Sequence, residues 1–192
     1  AQENGKPAPA GAGADNFPST NDPNTTSSET CATAAQASTL RSLNITEGTT
    51  STNLCNRLLR EPASAKGLVL YITSPTCISC RAMLHDLNSF VATEADLAFV
   101  VAVPTRVDQF LESYSDQEIR EFVTPLAPLA GVATDMNGQV WLGMSPDKNL
   151  PQFPLVVTFN RSGNGYTLSA REINNVAALK ANLYPRIQGL TP

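Results

Sequence analysis

Two cysteines separated by two residues, Cys77-Ile78-Ser79-Cys80, stand at a junction that restricts this chain more than any other stretch. Before them runs Gly67-Leu68-Val69-Leu70-Tyr71-Ile72-Thr73, an apolar, β-branched and aromatic segment of strand length. After them Met83, Leu84, Leu87, Phe90 and Val91 recur at helical spacing. The strand breaks at Ser74-Pro75-Thr76 and the chain re-enters a helix at the cysteines. Cys77 therefore falls at a helix N-terminus, where unpaired N–H groups and the helix dipole favour a thiolate. Arg81 adds positive charge beside it. The combination is that of a dithiol suited to exchange electrons.

The remaining composition narrows the function classes. A net charge of -4 with no basic stripe argues against nucleic acid as a partner. No apolar run approaches the roughly 20 residues that span a membrane. The 192 residues and 42% hydrophobic content support one compact domain with appendages. Four cysteines fit an oxidising compartment, and with one histidine and no second CxxC a zinc cage is poorly supplied. The opening Ala1-Gln2, without methionine, fits cleavage behind a small-residue signal site. A periplasmic or secreted location is the expectation, with no metal and no cofactor.

Residues 1–30 are rich in Ala, Gly, Pro, Ser, Thr and Asn, with Phe17 the one large apolar side chain, and read as a disordered tether. Residues 31–66 read as a helical extension: a helix from Cys31 to Leu43, a polar break over residues 46–52, and a short helix through Leu54, Cys55, Leu58 and Leu59 that ends before Pro62. A Cys31–Cys55 disulfide would staple the two helices and contribute on the order of 3 kcal/mol. The alternative for these cysteines is a second redox pair that exchanges with Cys77 and Cys80.

From residue 67 to residue 192 the pattern alternates. Strand 67–73, helix 77–91, strand 97–103 and helix 107–123 follow in turn, the last carrying a capping-box pattern at Ser115 to Glu118 and stopping at Pro125 and Pro128. Asn137-Gly138 between Val132–Met136 and Gln139–Leu142 predicts a hairpin. Phe153-Pro154 leads into strand 155–159, a turn over 160–165, strand 166–170 and a helix around 174–184 that Pro185 ends. The expected fold class is α/β, a central mixed sheet flanked by helices.

Strand–CxxC–helix, then strand, helix, X-Pro, hairpin and terminal helix resembles the thioredoxin superfamily, in particular its secreted or periplasmic thiol–disulfide oxidoreductases. The extra region between Gly138 and Pro154 favours those over the minimal cytosolic thioredoxins. The resemblance covers roughly residues 67–190. It implies a thioredoxin-like fold and a cis proline facing the dithiol, which here is Pro154, with Phe153 beside it influencing which substrates fit. It also implies exchange with the cysteines or disulfides of protein substrates, and a membrane redox partner as a further candidate.

The chain departs from that family at several positions. Thr76 stands where a tryptophan is usual, and Ile78-Ser79 replaces the Gly-Pro of thioredoxins and the Pro-His of strong oxidants. Tyr71 replaces the buried acid six residues before the first cysteine. Tyr71, a water, or the charge of Arg81 are the substitutes for its proton route. Without a histidine between the cysteines, an intermediate or reducing couple is expected.

Exchange assigns Cys77 as nucleophile and Cys80, one turn in, as resolver. Ile78, Ser79, Arg81 and Tyr71 tune the pair. His85 is read as an exposed helix residue rather than a proton donor or, with the two thiols, a copper ligand. Trp141 and Met144 either pack in the core or line a substrate groove, and Asp108, Glu112 and Glu118 read as solvated helix charges. The functional alternative to an oxidoreductase is a non-catalytic binding or assembly module of an envelope complex.

Overall fold

The computed structural model describes residues 31–190; the expected tether over residues 1–30 lies outside them. Seven strands form one sheet in the order β2-β1-β7-β4-β3-β8-β9. At its centre β3 (Gly67–Ile72) is parallel to β4 (Leu97–Pro104) and antiparallel to β8 (Leu155–Ser162). Outward on one side β7 (Gly131–Asp135) runs parallel to β4, and on the other β9 (Gly165–Glu172) closes a hairpin with β8.

All six residues of β3 are buried because helices cover both faces of the sheet, which explains its unbroken apolar run. Leu68, Leu70 and Ile72 face a core shared with α1 (Ala34–Ser42), α2 (Leu54–Leu59) and α5 (Gln139–Met144). Val69 and Tyr71 face a second core built with α3 (Ile78–Val91) and α4 (Asp116–Leu126). The C-terminal helical path, α6 (Val176–Ala178), a π turn Leu179–Leu183 and α7 (Tyr184–Gln188), closes that second face through Leu179, Leu183 and Ile187.

Six local expectations are corrected. The polar break over residues 46–52 is a hairpin, β1 (Asn44–Glu47) and β2 (Thr50–Asn53), which joins the main sheet where Thr46 pairs with Thr134. The extension over 31–66 is thus part strand: Gly48 (φ 63) turns the chain, and threonines tolerate an edge strand that has no apolar alternation. Cys31 precedes its helix, which starts at Ala34 behind the cap Thr33.

The helix expected over 107–123 begins only at Asp116, behind the capping box of Ser115 and Glu118. Ahead of it lies a ribbon: β5 (Arg106–Val107), a 3₁₀ turn Asp108–Phe110, and β6 (Glu112–Ser113). Pro125 lies within the last turn of α4 rather than beyond it.

Asn137-Gly138 does not make a hairpin. Both residues have positive φ (55° and 68°), but they turn the chain into α5 instead of back along β7. The competing force is a side-chain cap: the Asp135 carboxylate accepts from the N–H of Val140 (2.8 Å) and of Trp141 (2.9 Å). Likewise Pro185 does not end the last helix. It stands in the first turn of α7, where its missing N–H removes nothing, and the helical path runs on to Gln188.

Candidate functional site

The C-terminal ends of β3, β4 and β7 and the start of β8 meet at one end of the sheet. After Ile72 the chain makes one more sheet bond, Thr73 N–H to the Ala102 carbonyl at 3.1 Å, and then turns through Ser74-Pro75-Thr76. The Cys77 N–H closes that turn on the Ser74 carbonyl at 3.0 Å, and Cys77 is the N-terminal cap residue of α3. No side chain caps this helix, so its first N–H groups remain directed at the cysteine end.

Cys77 and Cys80 form a disulfide, with Cα atoms 5.3 Å apart. Cys77 is half-buried and Cys80 fully buried. That asymmetry gives an incoming sulfur access to Cys77 and shields Cys80. Ile78 is 82% exposed, and the Ser79 hydroxyl lies 3.7 Å from Cys77 Sγ. Arg81 reaches back from α3: its Nη2 donates to the Pro75 carbonyl at 3.1 Å and its guanidinium lies 5.0 Å from the centre of the Phe122 ring.

Tyr71 lies beneath the pair. It is fully buried and its hydroxyl donates to the Cys80 carbonyl at 3.0 Å. Burial pushes its pKa far above the usual phenol range, so the group is a fixed donor and not a proton acceptor.

The Phe153–Pro154 peptide is cis. Ile72 pairs with Leu155, so Pro154 stands beside the point where β3 leaves the sheet for the CxxC turn. Phe153 is half-buried and stacks on Trp141, with ring centres 4.3 Å apart and planes 5° apart. Trp141 is buried, as is Met144, and its Nε1 donates to the Gln152 carbonyl at 2.9 Å. Trp141 thus belongs to the core and at the same time supports the face of Phe153.

Two functional candidates escape sequence reasoning, and both are on the ribbon. Phe110, at its tip, lies 6.4 Å from Phe153 between ring centres, and beside it Leu111 is 95% exposed with a left-handed backbone (φ 55). Glu112 is not a solvated helix charge. It lies on β6, half-buried, and accepts hydrogen bonds from the hydroxyls of Ser74, Thr76 and Tyr114. Partners 36 and 38 residues apart leave no local sequence signal.

Asp108 and Glu118 are exposed; Asp108 pairs with Arg106 and Glu118 completes the capping box. His85 is exposed on α3. Among the described residues, no three of His, Cys, Asp or Glu are grouped as a metal cage. Away from this end of the sheet, Cys31 and Cys55 form a second disulfide with Cα atoms 5.2 Å apart; both are fully buried.

No protein-family model matches the sequence. No curated protein matches it either. Solved structures do match. DsbF of Mycobacterium tuberculosis, seen in mixed oxidised and reduced forms, is 16% identical with a TM-score of 0.58, over 80% of this chain and 97% of that one. A secreted M. tuberculosis disulfide oxidoreductase homologous to E. coli DsbE is 19% identical with a TM-score of 0.57, over 80% and 98%. A thioredoxin-like protein from Aeropyrum pernix is 12% identical with a TM-score of 0.57, over 77% and 89%. With the strand order and the strand–CxxC–helix junction, these likenesses identify the fold of this chain as thioredoxin-like.

Proposed function

We propose that the protein is a thiol–disulfide oxidoreductase that exchanges disulfides with protein cysteines through Cys77 and Cys80, in the periplasm or outside the cell. One observation carries the reading: a half-buried Cys77 caps a 14-residue helix and is bonded to a fully buried Cys80, at the end of the sheet where Pro154 precedes Leu155, the partner of Ile72. A structural staple has no use for one accessible sulfur at a helix N-terminus, whereas exchange requires it. The secreted M. tuberculosis oxidoreductase and the buried Cys31–Cys55 disulfide support the location.

In the reducing direction the Cys77 thiolate attacks a substrate disulfide. One substrate sulfur leaves as a thiolate and a Cys77–substrate disulfide forms. Cys80 then loses its proton and attacks Cys77 Sγ, which releases the second substrate thiolate and restores the Cys77–Cys80 bond. Two electrons and two protons pass to the substrate, and a dithiol donor must return them. Ile78-Ser79 brings no positive charge between the cysteines, in keeping with an intermediate or reducing couple.

Phe153, with Phe110 and Leu111 on the ribbon and Ile78 on α3, is assigned as an apolar rim for the chain around the substrate cysteine, next to Pro154, which is itself buried. Substrate binding is assigned to this rim, tuning to Arg81, the fixing of Cys80 to Tyr71, and a purely structural role to Cys31–Cys55. Dithiol-driven insulin reduction tests the reading: Cys77→Ser is expected to abolish turnover, and undiminished turnover would refute the assignment.

A further inference from the structure

The loop that carries Cys77 is gripped by two opposite charges. Arg81 holds the Pro75 carbonyl from α3. From the ribbon, the Glu112 carboxylate accepts Ser74 Oγ at 2.5 Å, Tyr114 Oη at 3.0 Å, and Thr76 Oγ1. Ser74 is fully buried; its Oγ also accepts the Thr76 N–H at 3.3 Å, and its carbonyl accepts the Cys77 N–H. The carboxylate thus bonds the side chain next to Cys77 in sequence and the residue that closes the turn onto Cys77.

Three hydroxyl donors, two of them from the Ser74–Thr76 turn and one from Tyr114 two residues on, fix this carboxylate in position, unlike the exposed Asp108 on the same ribbon. A negative charge held close to a forming thiolate disfavours it, and the partly buried setting weakens solvent screening. The ionisable groups hydrogen-bonded to the turn or to the Cys80 backbone are Glu112, itself bonded by Tyr114, from the ribbon side, Arg81 from α3 and Tyr71 from β3, while Arg106 and Asp108 of the ribbon pair with each other. Asp135 of β7 is occupied with the N-terminus of α5, and Glu118 of α4 with its own capping box. Among them Glu112 supplies the anion and Arg81 the cation.

We propose that Glu112 is a positioning residue of the dithiol site: it anchors the Ser74–Thr76 turn, and its charge opposes that of Arg81, holding the Cys77 thiolate less stable and the couple more reducing. The proposal rests on the reading of Cys77–Cys80 as an exchanging pair. It assigns a redox role to a residue whose own chain neighbourhood has no cysteine.

The test compares wild type, Glu112→Gln, Glu112→Asp and Asp108→Asn. Each is equilibrated with glutathione and trapped for mass analysis, and the pH profile of Cys77 alkylation is recorded. Glu112→Gln is expected to lower the equilibrium constant for oxidation by glutathione disulfide about threefold, about 14 mV less reducing for a two-electron couple, and to move the alkylation profile to lower pH. Glu112→Asp, which keeps the charge, should return towards wild type, and Asp108→Asn should change neither readout. Glu112→Ala, which deletes the side chain without adding a donor, is read in the same way should the amide disturb the ribbon. A wild type that equilibrates beside a Glu112→Gln with the same ratio and profile overturns the Glu112 assignment alone. A wild-type bond that stays closed in glutathione overturns the oxidoreductase reading and this one with it.

Discussion

The Tyr71 hydroxyl donates to the Cys80 carbonyl at 3.0 Å, so the central strand is tied to the first turn of α3 through Cys80. The strand position that holds a carboxylate in thioredoxins here holds a phenol whose pKa burial pushes up, and its hydroxyl is the donor. The hydrogen bond fixes Cys80 in place.

Tyr71→Phe should therefore act on stability and leave proton transfer alone. Loss of one buried hydrogen bond is expected to cost about 1 kcal/mol in urea unfolding. The pH midpoint of Cys77 alkylation should stay where it is in wild type. A displaced midpoint would show that the phenol does take part in the titration.

Removal of the second disulfide should separate scaffold from chemistry. Cys31 and Cys55 lie 24 residues apart and are fully buried in the core that also takes in α1, α2 and α5. The Cys31→Ala/Cys55→Ala protein is expected to lose about 3 kcal/mol by the loop-entropy relation. Insulin reduction per folded molecule should be unchanged at a temperature where the variant remains folded. A loss of turnover in the folded variant would instead identify a second redox pair.

Asp135 gives the stability an unusual pH dependence. Burial pushes its pKa up to about 6, with the N–H donors of Val140, Trp141 and Gln139 pulling the other way. The folded protein thus holds this proton more tightly than the unfolded chain does. The stabilisation is complete below the ordinary aspartate range near pH 4 and is lost as the pH rises through about 6. Against Asp135→Asn, which does not titrate, wild type should lose up to about 3 kcal/mol between pH 4 and pH 7 in urea melts. A salt-bridged carboxylate would give the opposite slope.

The ribbon tip should select substrates. Leu111 stays 95% exposed in a left-handed conformation that leucine seldom adopts, and Phe110 leans over Phe153. Replacing both Phe110 and Leu111 by serine is expected to raise KM for a peptide disulfide with apolar flanks about fivefold or more, from roughly 1 kcal/mol of lost apolar contact. The reaction with a small polar disulfide such as oxidised glutathione should not change.

The outcome for each element reflects how far apart its determinants lie. The strand ahead of Cys77, the helix behind it and the X-Pro strand were legible because each is encoded within about ten residues, by apolar period and by Pro. The hairpin over 44–53 was not, because its strands lie at a sheet edge and carry Thr, Ser and Asn instead of an apolar alternation. Asn137-Gly138 has the positive φ of a hairpin turn, but the side chains of Asp135 and Thr105, which accept the N–H groups of Val140, Trp141 and Asn137, hold it as the entry to α5. At the site, Cys77, Cys80, Phe153 and Pro154 announce themselves by motif. Glu112 does not, since Ser74 and Thr76 meet it only when the ribbon folds over the end of the sheet.

Exchange through this site depends first on which sulfur attacks. Cys80→Ser, mixed in reduced form with a disulfide-containing protein substrate, is expected to accumulate a covalent adduct through Cys77, identified by mass after digestion. The fully buried position of Cys80 predicts that Cys77→Ser forms little or none under the same conditions. Adduct through Cys80 in preference to Cys77, or no adduct from either variant, would contradict the account.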